Sequence, residues 1–181
     1  MSADGLKRLS LEDVEPALRA ELEPTVARLG YFGEFFQVFS AVPGAVLTFM
    51  GYTKAVKAPL ADSENEVLAL TVCAALGDSY ERIQHERLSV RLGLDSAWIA
   101  AAEGRDGADM TRLSVEETAL RELALVVVAT HGKGCRAKVA GAAAVLGPQK
   151  TAAALLQITR FMSIATLCSA LELSLPVPSV F

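Results

Sequence analysis

The stretch GDSYERIQHERLSVRLGL, residues 77–94, decides how this chain is read. Gly77 is a stop signal, Asp78 followed three residues later by Glu81 is a capping box, and Gly93 closes the segment, so the spacing predicts a helix between the two glycines. On such a helix residues 81, 85, 88 and 92 fall along one stripe. Glu81 and His85 therefore share a face with Leu88 and Leu92, whereas Arg82 and Glu86 point elsewhere. An acid and an imidazole on an apolar face look inward. Burial disfavours the charged form of the histidine and the neighbouring carboxylate favours it, a balance that poises a proton donor or acceptor near neutral pH.

Working outward, helical signals recur along the chain. Ser10 with Glu12 and Asp13 opens an amphipathic segment that runs to Gly30, with Pro24 as a kink or break. Pro43 begins a helix through about Lys57. Ser63 and Glu66 read as a capping box ahead of VLALTVCAAL, which is apolar all round and expected to be buried on every side. Asp95 or Ser96 starts a short helix containing Trp98, and GRDGADM from Gly104 is a turn-rich linker. Ser114 and Glu117 form a further box opening a helix to about Thr130. HGKGC makes a break, and Gly147-Pro148 separates two last helical stretches that end before Pro176. No stretch sustains period-two alternation between turn signals, so the fold class is all-α.

The chain also contains a decayed internal repeat. EVLALTVCA at 66–74 matches RELALVVVA at 121–129, and RLGL at 91–94 is echoed by VLGP at 145–148. Each copy is helix, short break, helix, LG stop, and the two all-apolar helices are expected to pack together at the centre. At this offset Glu81 and His85 fall opposite Arg136 and Ala140, so the shared scaffold does not require the acid or the imidazole.

Composition bounds the function. The 181 residues are 52% hydrophobic, enough for a real core in one domain spanning 1–181, with 1–42 as an N-terminal helical extension, 43–103 as the motif-bearing half and 111–175 as a degenerate second half. Seventeen Lys and Arg against 21 Asp and Glu, a net charge of −4, offer no basic field for phosphate backbones, so no nucleic-acid partner is expected. The N-terminal stretch has no apolar leader region, and apolar runs of about ten residues fall short of the roughly 20 that span a bilayer. The expectation is a cytoplasmic protein with no membrane partner. Cys73, Cys135 and Cys168 are widely separated and odd in number, which fits reduced thiols. Only two histidines are present, neither with a second ligand at finger spacing, so no metal site is expected.

Glu66, followed by Asp78 and YERIQHERLSVRLGL, resembles the carboxymuconolactone decarboxylase and alkylhydroperoxidase D (AhpD-like) superfamily, best over residues 43–103. Redox members of that family carry Glu, then CxxCxxxH, then a small-residue stretch ending in GL. On that motif Glu66 matches the relay glutamate and His85 the motif histidine, while Asp78 and Glu81 stand where the two cysteines belong. Without that pair the family's disulfide cycle is not implied. Tyr80, Glu81 and His85, as YExxxH, resemble cysteine-free relatives, and ExxxH also occurs in the lactone decarboxylase branch. The resemblance implies an all-helical fold, assembly as a trimer or hexamer, and no cofactor.

Together these readings give an expected cofactor-independent acid–base enzyme acting on a small organic acid or lactone. His85 moves the proton, Glu81 orients it or acts as its carboxylate partner, Glu66 completes a relay, and Tyr80 and Asp78 meet the substrate. Two alternatives stay open: an antioxidant working through an unconventional thiol, and a non-catalytic small-molecule-binding or structural oligomer. Glu66 and Glu81 as simple caps, and Phe32, Phe35, Phe36 and Phe39 as a core, interface or pocket-mouth cluster, also stay open. His131 in HGKGC reads as a loop residue.

Overall fold

The computed structural model describes residues 4–181; residues 1–3, the start of the stretch read as lacking a leader region, lie outside it. Among the described residues there are helices and no strands, in agreement with the all-α reading. In chain order they are α1 (Pro16–Leu29), α2 (Glu34–Phe39), α3 (Pro43–Lys57), α4 (Asp62–Leu76), α5 (Ser79–Arg91), α6 (Ser96–Glu103), α7 (Val115–Thr130), α8 (Arg136–Leu146) and α9 (Pro148–Ala170).

Most helix ends form where the local chemistry asks for them. Gly77 takes a left-handed φ of 71° and closes α4. Asp78 accepts from the N–H groups of Tyr80 and Glu81 at 3.2 and 3.1 Å and opens α5. Ser114 and Glu117 exchange bonds of 3.1 and 2.8 Å as a complete capping box on α7.

Several starts differ from expectation. The chain around Ser10 forms only a 3-10 turn, Leu11–Asp13, and α1 starts at Pro16 under a cap from Glu15, whose carboxylate accepts from Leu18 N–H at 3.1 Å. Pro24 breaks nothing: α1 continues past it, forgoing the backbone bond that the missing N–H would make. Ser63 and Glu66 do not form a box, because α4 begins at Asp62 and the Glu64 carboxylate takes the Ala61 N–H at 2.7 Å. Glu66 then lies beyond reach of the helix start and turns inward. Asp78 and Glu81 form half a box, since the Asp78 N–H goes to the Cys73 carbonyl at 2.9 Å and leaves the Glu81 carboxylate free of capping.

The centre of the molecule is α4. Every residue from Glu64 to Cys73 is buried, and α5, α6, α7 and α9 all pack on it. A leucine there, such as Leu68 or Leu70, contributes about 1.5–3 kcal/mol by leaving water. The α7 helix packs on α4 as the repeat predicts, but Leu125 and Val126 are only partly buried and Ala129 is exposed. The join between α4 and α5 is Gly77 and Asp78 alone, whereas residues 131–135 join α7 to α8. That longer break shifts the register: counted from the helix starts, Glu81 and His85 correspond to Lys138 and Ala142 rather than to Arg136 and Ala140.

The N-terminal helices form a second layer. The α3 helix packs on both α1 and α9 and so links that layer to the rest of the molecule. By length and composition alone α9 could cross a membrane, yet more than half of its most apolar window is buried against the other helices.

Candidate functional site

The gap between the α1–α3 layer and the α5–α9 face is a cleft of about 1000 Å³. Phe35 and Phe36 of α2, with Leu47, Phe49 and Met50 of α3, supply much of its apolar wall. From the other side α5 presents Glu81, His85 and Leu88, and α9 presents Arg160 and Ile164. Leu88 thus follows the inward stripe, but Leu92 at the end of α5 is 40% exposed and leaves it. Of the phenylalanine cluster, Phe35 and Phe36 reach the cleft, while Phe32 packs against the α1 core.

His85 is the centre of the polar part. Its Nδ1 lies 2.7 Å from Glu66 Oε2, and the Glu66 side chain is 1% exposed. Its Nε2 is 3.8 Å from Glu81 Oε2, close enough for attraction and too far for a hydrogen bond. The ring stands edge-on to Phe161 at 5.1 Å. About the Gly77–Asp78 join, an antiparallel hairpin puts Glu66 opposite a position near Ser89, one turn or ~5.4 Å from His85. Two extended side chains close that turn, a result that spacing alone left open. Glu81 accepts from Gln84 Nε2 at 3.1 Å. Burial holds the Glu81 carboxyl above its ordinary range, opposed in part by His85 and Arg160.

Tyr80 and Asp78 are placed differently. Tyr80 is buried on the cleft wall; its hydroxyl oxygen accepts from Phe35 N–H at 3.0 Å, and burial pushes the phenol pKa up. Asp78 does not line the cleft and is occupied as the α5 cap. His131 is exposed and takes a left-handed φ of 52° to close α7.

Sequence reading missed Arg160. It sits on α9 at 7% exposure, and its guanidinium carbon lies 3.9 Å from the Phe161 ring centre and 5.8 Å from that of Phe49. Nε donates to Gln157 Oε1 at 2.8 Å, and Gln157 Nε2 donates in turn to Asn65 Oδ1 at 3.0 Å. Burial lowers its basicity while Glu81 and Glu66 support the charge. The one available signal was a lone cation inside the otherwise uncharged run TAAALLQITRFMSIATLCSA.

A second buried acid was missed as well. Glu86, on the opposite face of α5 as the helical stripe requires, is fully buried and accepts from Arg82, from Ser179 Oγ at 2.6 Å and from Val180 N–H at 2.9 Å. It holds the C-terminal segment against α5 and faces away from the cleft.

All three cysteines are free and buried. Burial, with Glu81 and Asp78 nearby, pushes the Cys73 and Cys168 thiols well up, away from the thiolate form. None of the three lines the cleft. Among the described residues no group of three or more His, Cys, Asp and Glu side chains is placed to hold a metal ion.

No protein-family model matches the sequence, and no curated protein does. Solved structures do match by shape. An uncharacterized peroxidase-related protein from Ralstonia eutropha JMP134, with an alkylhydroperoxidase AhpD core, superposes with a TM-score of 0.76 at 14% identity, over 90% of this chain and 87% of that one. The debrominase Bmp8, a cysteine-to-alanine variant in complex with 2,3,4-tribromopyrrole, superposes with a TM-score of 0.72 at 14% identity, over 89% of this chain and 88% of that one. With the helix order and the central α4–α7 pair described above, these matches place the chain, by fold, among the AhpD-like helical proteins.

Proposed function

We propose that this protein is a cofactor-independent acid–base enzyme, acting on a small organic acid, lactone or related carbonyl compound. The observation that carries this reading is the 2.7 Å contact between Glu66 and His85 Nδ1 at the wall of an open cleft. An ionised Glu66 accepts from Nδ1–H, which fixes the tautomer and leaves the Nε2 lone pair as the base. When Nε2 takes a proton from the substrate, the imidazolium remains beside the buried carboxylate that stabilises it. Glu81 lies beside Nε2, and burial favours its protonated form, which suits it to give a proton to the product and then recover one from the His85 imidazolium, so that the two groups divide acid and base duties. Glu66 rather than Glu81 is the orienting partner in this scheme. Tyr80 supports the wall through Phe35, and Asp78 fixes the start of the helix that aims His85.

A thiol peroxidase reading has less support, although one structural neighbour is peroxidase-related. Attack on a peroxide needs an accessible thiolate, and the thiols here are buried outside the cleft.

The test is turnover of a panel of small organic acids and lactones, followed by proton NMR, in wild type and in His85→Gln. Gln keeps much of the volume, so the fold is expected to persist while turnover falls by roughly 10²–10⁴. A folded His85→Gln variant with undiminished turnover would refute the assignment.

A further inference from the structure

We propose that Arg160 is the anchor for a substrate carboxylate, and that the cleft selects organic anions with an apolar body, a class narrower than carbonyl compounds in general. The proposal rests on the acid–base reading of the same cleft and adds to it the group that positions the substrate.

Arg160 is 93% buried by the complement of its 7% exposure, yet only its Nε has a protein partner among the described residues. Neither Nη group makes a hydrogen bond there and neither is sealed from solvent, and Arg160 lines the cleft. A guanidinium held by a Gln157–Asn65 chain and stacked on Phe161 has little freedom left. Its two remaining Nη edges fit a planar carboxylate in the bidentate geometry that an amide or alcohol cannot reproduce. His85 packs on the same Phe161 ring and lines the same cleft, so the anchor and the proton-transfer group serve one cavity.

The rest of the cleft agrees with this choice. Arg28, Lys54, Lys57 and Arg160 line it against Glu21, Asp62 and Glu81, a cation excess of one on a chain whose net charge is −4. That excess draws anions toward the mouth. Phe35, Phe36, Phe49, Leu47 and Met50 offer apolar surface to the body of the ligand. The volume of about 1000 Å³ exceeds what a two- or three-carbon acid fills, so an aryl or medium-length acyl body is the better match.

Isothermal titration calorimetry with 2-naphthoate and its neutral isostere 2-naphthamide tests the proposal on the intact protein. Wild type is expected to bind the acid at least about tenfold more tightly than the amide. In Arg160→Gln the two affinities should fall within about twofold of each other, with that for the amide unchanged, and circular dichroism should show the helices intact. Arg160→Lys keeps the charge without the fork and is expected to weaken naphthoate by about three- to tenfold, a second readout should the Gln variant not fold. His85→Gln should keep the full preference for the acid, which separates anchoring from proton transfer. Equal binding of acid and amide by wild type, no binding of naphthoate, or a preference that survives in Arg160→Gln or is undiminished in Arg160→Lys would each overturn the anchor while leaving the role of His85 standing. Conversely, undiminished turnover in His85→Gln alongside an Arg160-dependent preference would overturn the acid–base reading alone.

Discussion

The two copies of the repeated unit start from nearly the same apolar helix and end in different environments. In the first, α4 is buried from Glu64 to Cys73, a two-residue join delivers α5, and Glu81 and His85 arrive at a cleft. In the second, α7 leaves Leu125 and Val126 partly uncovered, a longer break follows, and only Ala142 of α8 is buried. At the position 55 residues after Glu66 stands Arg121, whose Nε donates to the Ala102 carbonyl at 3.3 Å and is not joined to any imidazole. The difference shows what the apolar scaffold can do by itself. It makes a packed helix pair twice, but a polar site forms only where α1, α2 and α3 cover the pair and leave a gap above α5 and α9.

The largest effect should come from testing the unequal burial directly. Leu70→Ala in α4 is expected to cost about 2–5 kcal/mol, because the cavity forms where nothing can relax outward. Its counterpart Leu125→Ala in α7 should cost about 1 kcal/mol, close to the average for substitutions. Urea denaturation of both variants measures this, and equal costs would mean that the two apolar helices are covered alike.

A smaller effect isolates the polar link. Replacing Glu66 by Leu removes the acceptor at 2.7 Å and leaves His85 Nδ1–H without its partner, an expected loss of about 1–3 kcal/mol. The matching Arg121→Leu change should stay within about 1 kcal/mol, since that side chain is only partly buried. If Glu66→Leu stabilised the fold instead, the carboxylate would be held there against stability, and the functional reading would be sharpened.

The smallest effect is one of pH. Burial raises the Glu81 pKa on folding, so the native state binds that proton more tightly than the unfolded chain does. The stability tied to this group is therefore full below the unfolded value and is lost as pH rises through the higher folded value. Glu81→Gln is expected to gain stability relative to wild type between pH 4 and pH 8, read from denaturant midpoints at each pH. A Glu81→Gln profile parallel to wild type would mean that the carboxyl is solvated in the cleft.

Much of this could be read from the residues because helix signals are local. Caps such as Asp78 and Ser114, stops such as Gly77 and the 3.6-residue stripe through Glu81, His85 and Leu88 depend on neighbours within a turn or two. So did the apolar run of α4 and its echo in α7, and the expected fold followed from them. Where two local choices were nearly equal, as between Glu64 and Glu66 at the start of α4, the pattern chose the wrong one, and the inward position of Glu66 was hidden behind a capping role.

The rest depended on which helices meet. No spacing places Glu66 against His85, because a hairpin register leaves them a turn apart and only the packing of α4 on α5 closes it. Arg160 lies 75 positions beyond His85, and nothing in QITRF tells an arginine at a protein surface from one buried between two aromatic rings. The amino-acid order by itself determined most of the helices, the buried run of α4 and the shared face of Glu81 and His85. The tertiary structure alone decided the dyad partner, the cleft and its cation, because side chains distant in sequence acquire a shared environment only when the packed core removes the water between them.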